Sequence, residues 1–125
     1  MKILIVDDDE QILRFVSRAL TENDIESDTA SNGREAIESL AEGDYGVVLL
    51  DVLMPEVDGI QVLMELKKSD PENMPIVIAM SGGGQSLPGW YAGHLVEMMG
   101  AQSVLYKPFS VDELLRRISS VQSSA

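Results

Sequence analysis

Short, uninterrupted apolar runs alternate along this chain with segments whose apolar residues recur at helical spacing. Ile3-Leu4-Ile5-Val6, Val47-Val48-Leu49-Leu50 and Ile76-Val77-Ile78-Ala79-Met80 contain no polar residue to turn toward water. A strand that is apolar on both faces has to be covered on both, as in a parallel sheet sandwiched between helices. After the first run, Ile12, Phe15, Val16, Ala19 and Leu20 form a helical stripe. A weaker, polar strand is predicted at Glu26–Ala30. Asn32 followed by Glu35 reads as the cap of a second helix carrying Ala36, Ile37 and Leu40, with Gly43 placed to end it. A third helix is predicted over 59–69 and a fourth over 91–99, closed by Gly100. Ser103–Tyr106 reads as the fifth strand. Ser110 and Glu113 form a capping box for a last helix carrying Leu114, Leu115, Ile118 and Val121, with a tail over 119–125 expected to fray. Five βα units in succession predict an α/β fold with helices on both faces of the sheet.

A length of 125 residues suits one domain over 1–125, with no length left for a second. Cysteine is absent, which excludes thiolate chemistry and fits a reducing cytoplasm. Four apolar residues before Asp7 are too few for a signal-peptide core, and no run reaches membrane-spanning length. The net charge of −12 argues against direct binding to nucleic acid or to anionic membranes, both of which need clustered Lys and Arg. A cytoplasmic protein without nucleic-acid or membrane partners is therefore expected.

Ligands of open parallel sheets bind beyond the carboxyl ends of the strands. There the first strand delivers Asp7, Asp8 and Asp9, the third Asp51, the fourth Ser81 and the fifth Lys107-Pro108. Crowded carboxylates repel unless a cation joins them. Mg²⁺ favours a few carboxylates completed by water and phosphate oxygens. A carboxylate can also attack phosphorus and form an aspartyl phosphate. The lysine can neutralise charge and the hydroxyl can bind a phosphoryl oxygen. The plain alternatives differ in strength. Asp9 fits an acidic helix N-terminus, and Asp58 fits a cap of the third helix. Met54, Met64, Met98 and Met99 read as packing residues, and His94 as solvent-facing. A solvated loop acid is a poor reading of Asp51, which directly follows four apolar positions.

Val6-Asp7-Asp8, Leu50-Asp51-Val52-Leu53-Met54-Pro55 with Asp58-Gly59, Met80-Ser81-Gly82 and Tyr106-Lys107-Pro108-Phe109 together resemble the four signature segments of response-regulator receiver domains, in the family's order and along essentially the whole chain. The resemblance implies a flavodoxin-like fold, a five-stranded parallel sheet of order 2-1-3-4-5 with five helices. It implies Asp51 as phosphoacceptor, and Mg²⁺ held by Asp8, Asp7, Asp51 and the backbone carbonyl of Leu53. Ser81 would move toward the phosphoryl group, Lys107 would pair with Asp51 and then with the phosphate, and Pro108 would follow a cis peptide bond. The implied donor is a histidine kinase or histidine phosphotransfer protein, and the implied output is a phosphorylation-dependent change that engages a downstream protein. Such a chain is a switch that assists its own phosphorylation rather than an enzyme.

Several positions depart from the family. The aromatic residue usual three before the lysine is here Val104, and Tyr106 is expected to face away from it. Segment 82–90, with three consecutive glycines, looks longer than is common and suits a partner-contacting loop. It lacks the GK[ST] ending of a nucleotide-binding loop. Leu53 and Gly83 stand where family members position a hydrolytic water, and neither side chain can hydrogen-bond it, which implies slow dephosphorylation. Two rival readings are weaker. An aspartyl-phosphate hydrolase of similar topology would need a second acid two after the nucleophile, where Leu53 stands. A phosphate-independent binding module would not need the complete set Asp8, Asp51, Ser81 and Lys107.

Overall fold

The computed structural model describes residues 2–52, 59, 61, 62, 64, 65, 74–82, 94 and 100–123. Strands β1 (Lys2–Val6), β2 (Glu26–Ala30), β3 (Val47–Asp51), β4 (Ile76–Ser81) and β5 (Ser103–Tyr106) form one parallel sheet in the order β2-β1-β3-β4-β5. Helices α1 (Glu10–Glu22), α2 (Gly33–Glu42) and α3 (Val111–Ser123) are the complete helices among the described residues. Gly59, Gln61, Val62, Met64, Glu65 and His94 are also helical; most of the predicted segments 59–69 and 91–99 lies outside the described residues.

Successive strand residues serve opposite sides of the sheet. Ile3, Ile5, Leu49, Ile78, Met80 and Leu105 pack against α1 and α3 through Leu13, Val16, Leu20, Leu114 and Ile118. Leu4, Val6, Val48, Leu50, Ala79 and Val104 form the other layer with Ala36 of α2 and with Val62. Burying one such Leu or Ile stabilises by roughly 1.5–3 kcal/mol, so the two layers hold the strands in register. Strand order reverses between β1 and β3, which opens a crevice at their carboxyl ends.

Local chemistry sets the ends of the helices. The Asp9 side chain accepts from the Gln11 N–H and caps α1. Asn32 accepts from the Glu35 N–H, while Glu35 reaches back to the Ser31 N–H and hydroxyl. The Ser110 hydroxyl accepts from the Glu113 N–H. At the end of α1, the N–H of Ile25 donates to Leu20 O and that of Asp24 to Thr21 O, a Schellman closure. Its left-handed residue is Asp24, with φ 59°, rather than glycine.

Four expectations are corrected. The apolar stripe predicted for α1 includes Phe15 and omits Leu13, but Phe15 is 40% exposed and meets Phe109 at a ring-centroid distance of 6.1 Å, while Leu13 is buried in the core. The last helix does not fray at 119 but continues to Ser123, because Val121 is buried beneath its final turn. Met64 is exposed rather than packed. Tyr106 does not oppose Val104. The two are two residues apart and share a side by the period of the strand, with Leu105 between them in the opposite layer; Val104 is buried and Tyr106 exposed at the strand end.

Candidate functional site

Among the described residues, the buried polar or charged side chains are Asp7, Asp51 and Ser81. All three stand at the carboxyl ends of neighbouring strands, where burial would otherwise cost several kcal/mol per unpaired charge. Asp7 extends β1 by one residue, its N–H donating to Ala30 O at 3.2 Å. Asp51 ends β3 opposite Met80, and the next N–H, of Val52, donates to Met80 O. Ser81 ends β4 opposite Tyr106. Its carbonyl accepts from the Lys107 N–H at 2.9 Å, which ties the lysine backbone to the strand edge.

The lysine ammonium closes the group. Lys107 Nζ lies 2.7 Å from Asp7 Oδ2 and 3.6 Å from Asp51 Oδ2. The shorter contact is an ion pair without hydrogen-bond alignment, since Asp7 Oδ2 is buried and has no hydrogen-bond partner. The other Asp7 oxygen, Oδ1, accepts from the Asp9 N–H at 2.9 Å. Burial pulls the Lys107 pKa down, but Asp7, Asp51 and Asp8 together carry it above the ordinary lysine value. The ammonium is therefore firmly charged at neutral pH. Its stem crosses Gly82, where a Cβ would meet Lys107 Cδ at 3.4 Å.

Asp7, Asp8 and Asp51 each offer a carboxylate oxygen, and these oxygens lie within 4.8 Å of one another. Asp7 is buried and Asp8 exposed, so one acid lines the floor of the pocket and the other its mouth. Oxygens on an octahedral Mg²⁺ stand about 3–4 Å apart. Three formal carboxylates against one ammonium leave two negative charges for a divalent ion to cancel. The buried Asp7 oxygen without a hydrogen bond fits the same need. The residues present suit Mg²⁺.

Lys107–Pro108 is a cis peptide bond. Val104 is buried in the layer beside α2. Leu53 and segment 83–90 lie outside the described residues, as does Asp58. The sequence reading missed Gly59. A Cβ there would overlap the Asp51 carbonyl oxygen and come within 2.5 Å of Val52 Cα. The signal was the Asp58-Gly59 pair at the start of a predicted helix, but a glycine read for its motif does not disclose which backbone it touches.

An acid-rimmed crevice with a lysine and a hydroxyl, at the switch point of a doubly wound sheet, defines a site built for an anionic group bound together with a cation. Comparison with known proteins gives the family. Residues 3–119 match the response regulator receiver domain, and the chain belongs to that family. It is 36% identical over 116 residues to the uncharacterized transcriptional regulatory protein YkoG of Bacillus subtilis, a match covering 93% of this chain and 48% of YkoG. It is 34% identical over 122 residues to the transcriptional regulatory protein SrrA of Staphylococcus aureus, covering 96% and 47% respectively. The chain thus spans about half the length of the curated relatives it matches. The receiver domain of the Francisella response regulator 1452 superposes with a TM-score of 0.84 at 31% identity, covering 98% of this chain and 97% of that one. Receiver domains of this family are phosphoacceptor switches of two-component signalling. Among the described residues, no helix is long and apolar enough to cross a membrane.

Proposed function

We propose that this chain is a single receiver domain over 1–125 that accepts a phosphoryl group on Asp51 from the phosphohistidine of a histidine kinase or phosphotransfer protein. The observation that carries the reading is the confinement of buried polar side chains, among the described residues, to Asp7, Asp51 and Ser81 around Lys107. An Asp51 carboxylate oxygen forms the new bond to phosphorus as the phosphorus–nitrogen bond breaks and the imidazole leaves with its electron pair. Lys107 neutralises charge on the transferring group, and the Ser81 hydroxyl binds one of its oxygens. Asp7, Asp8 and Asp51 would hold Mg²⁺, with the Leu53 carbonyl added by resemblance to the family; the ion supplies further charge neutralisation. The product alters the surface around the phosphoacceptor, which a downstream protein reads. The domain acts as a switch, in the cytoplasm, and its net charge of −12 argues against its own contact with DNA.

We read it as a stand-alone regulator. A second reading, in which the same switch governs a DNA-binding partner domain, is favoured by the naming and double length of YkoG and SrrA. Both readings need Asp51. Incubation with phosphoramidate or acetyl phosphate and Mg²⁺ should add one phosphoryl group by intact mass. Undiminished labelling of Asp51→Asn, or labelling indifferent to Mg²⁺, overturns the assignment.

A further inference from the structure

Among the described residues no strand lies beyond β2, so one edge of the sheet is open there. The carbonyl of Ala30 accepts from the Asp7 N–H, so Ala30 turns its backbone polar groups toward β1. These groups alternate in direction along a strand, which turns those of Ser27 and Thr29 outward. An extended chain laid alongside would continue the ladder.

The two flanks of this edge differ. Thr29 pairs with Ile5, which lies in the layer that Leu13 of α1 joins. On that side Glu10, Leu13, Arg14, Ser17 and Thr29 line a depression of about 370 Å³. Its two charged members, Glu10 and Arg14, pair with each other at 3.5 Å, which leaves the depression without net charge. Glu26 and Asp28 stand on the opposite side of the sheet, in register with Lys2 and Leu4. The Asp28 carboxylate is taken up by Lys2 at 2.9 Å and by the Tyr45 hydroxyl at 2.6 Å. The Glu26 side chain is 77% exposed, and Lys2 stands 3.8 Å from it. Two acids against one lysine leave a negative charge on this flank.

We propose that β2 is a docking edge for an extended segment of a partner protein in which basic and apolar side chains alternate. Backbone hydrogen bonds to Ser27 and Thr29 supply the attachment, and the side chains of the segment read the two flanks. A basic side chain meets Glu26. The apolar side chains, on the other side of the segment, face Ser27 and Thr29 and enter the depression over Leu13. A second copy of this chain is a poor occupant, because it would set Glu26 and Asp28 against the same acids.

The probe is an acetylated, amidated Lys-Leu-Lys-Leu-Lys peptide titrated into the ¹⁵N-labelled chain. The amide signals of Ser27 and Thr29 should shift together with those of Leu13 and Ser17, and the two edge amides should exchange with solvent more slowly at saturation. Thr29→Pro removes one outward N–H, a loss that an edge strand tolerates, and should weaken binding by on the order of tenfold. Glu26→Gln should weaken it as well. Absence of binding at millimolar peptide overturns the proposal. So do shifts spread over the acidic surface that Thr29→Pro leaves unchanged, which mark general charge attraction. Equal binding of a Ser-Leu-Ser-Leu-Ser peptide overturns the basic partner. Shifts of the same amides on concentrating the chain alone mark a second copy as the occupant and overturn it too. If Thr29→Pro does not fold, the wild-type exchange rates decide: edge amides left unprotected at saturating peptide overturn the proposal.

Discussion

Replacing Gly59 by alanine sets two effects of opposite sign against each other, and the structure decides between them. Gly59 is helical, and an unhindered glycine-to-alanine change in a helix stabilises by about 1 kcal/mol, through propensity and a stiffer unfolded chain. The added methyl would overlap the Asp51 carbonyl oxygen and stand 2.5 Å from Val52 Cα and 2.8 Å from the Asp51 carbonyl carbon. Real Cβ atoms essentially never approach below 3.0 Å. The obstructing atoms are backbone, held by β3–β4 pairing and the Val52 to Met80 hydrogen bond, so they cannot step aside as a flexible side chain would. Overpacking of this kind costs about 1–3 kcal/mol, and rigid backbone places this site near 3. The net loss is then about 2 kcal/mol, a melting point lower by roughly 8 °C in a chain of this size. The strain falls on Asp51, the proposed phosphoacceptor, and displacement of a reacting group by about 1 Å can cost 10²-fold in rate. Thermal melts and the rate of labelling by phosphoramidate measure the two consequences. A Gly59→Ala protein as stable as wild type and labelled at the wild-type rate would refute the close approach.

Three further outcomes are expected. Burial, and then the 2.6 Å hydrogen bond to Asp28, push the Tyr45 hydroxyl up to about 12. This pKa is raised, so its contribution to stability is complete below pH 10.0 and is lost as pH climbs through about 12. Phenolate absorbance should contain a late-titrating component that Tyr45→Phe removes. Asp8→Asn, at the exposed acid of the pocket, should melt at or above wild type in EDTA yet gain little from millimolar Mg²⁺; a clear loss in EDTA would make Asp8 structural. Leu53→Asn combined with Gly83→Glu should shorten the phosphoryl lifetime, measured by intact mass over time, since each adds a side chain able to hold water.

Much of the fold is legible because its strands are apolar on both faces, a pattern that few arrangements satisfy. The polar β2 was also legible, by position between two helices rather than by hydropathy. The Asn32 and Ser110 caps were readable because capping is local chemistry. Most of the differences depend on contacts distant in sequence. Phe15 fits the helical period of α1 as well as Leu13 does, and only packing against β1, β3 and α3 chooses between them. Val121 fixes the last turn of α3 through tertiary burial that a run of serines conceals. The side taken by Tyr106 is the exception, since the local two-residue period alone puts it with Val104. In the pocket, three consecutive acids do not reveal which one is buried. That follows from Asp7 continuing the β1 ladder through its hydrogen bond to Ala30 O. Nor does a lone lysine show that its nearer partner is Asp7 rather than Asp51.

The central claim is that phosphorylation occurs on Asp51, and reductive trapping tests it most directly. Borohydride reduces an aspartyl phosphate to homoserine, which peptide sequencing locates by residue. After phosphoramidate and Mg²⁺ treatment, homoserine is predicted at position 51 and at no other aspartate. Homoserine at position 7, 8 or 9, or a phosphorylated protein that yields none, would contradict the assignment.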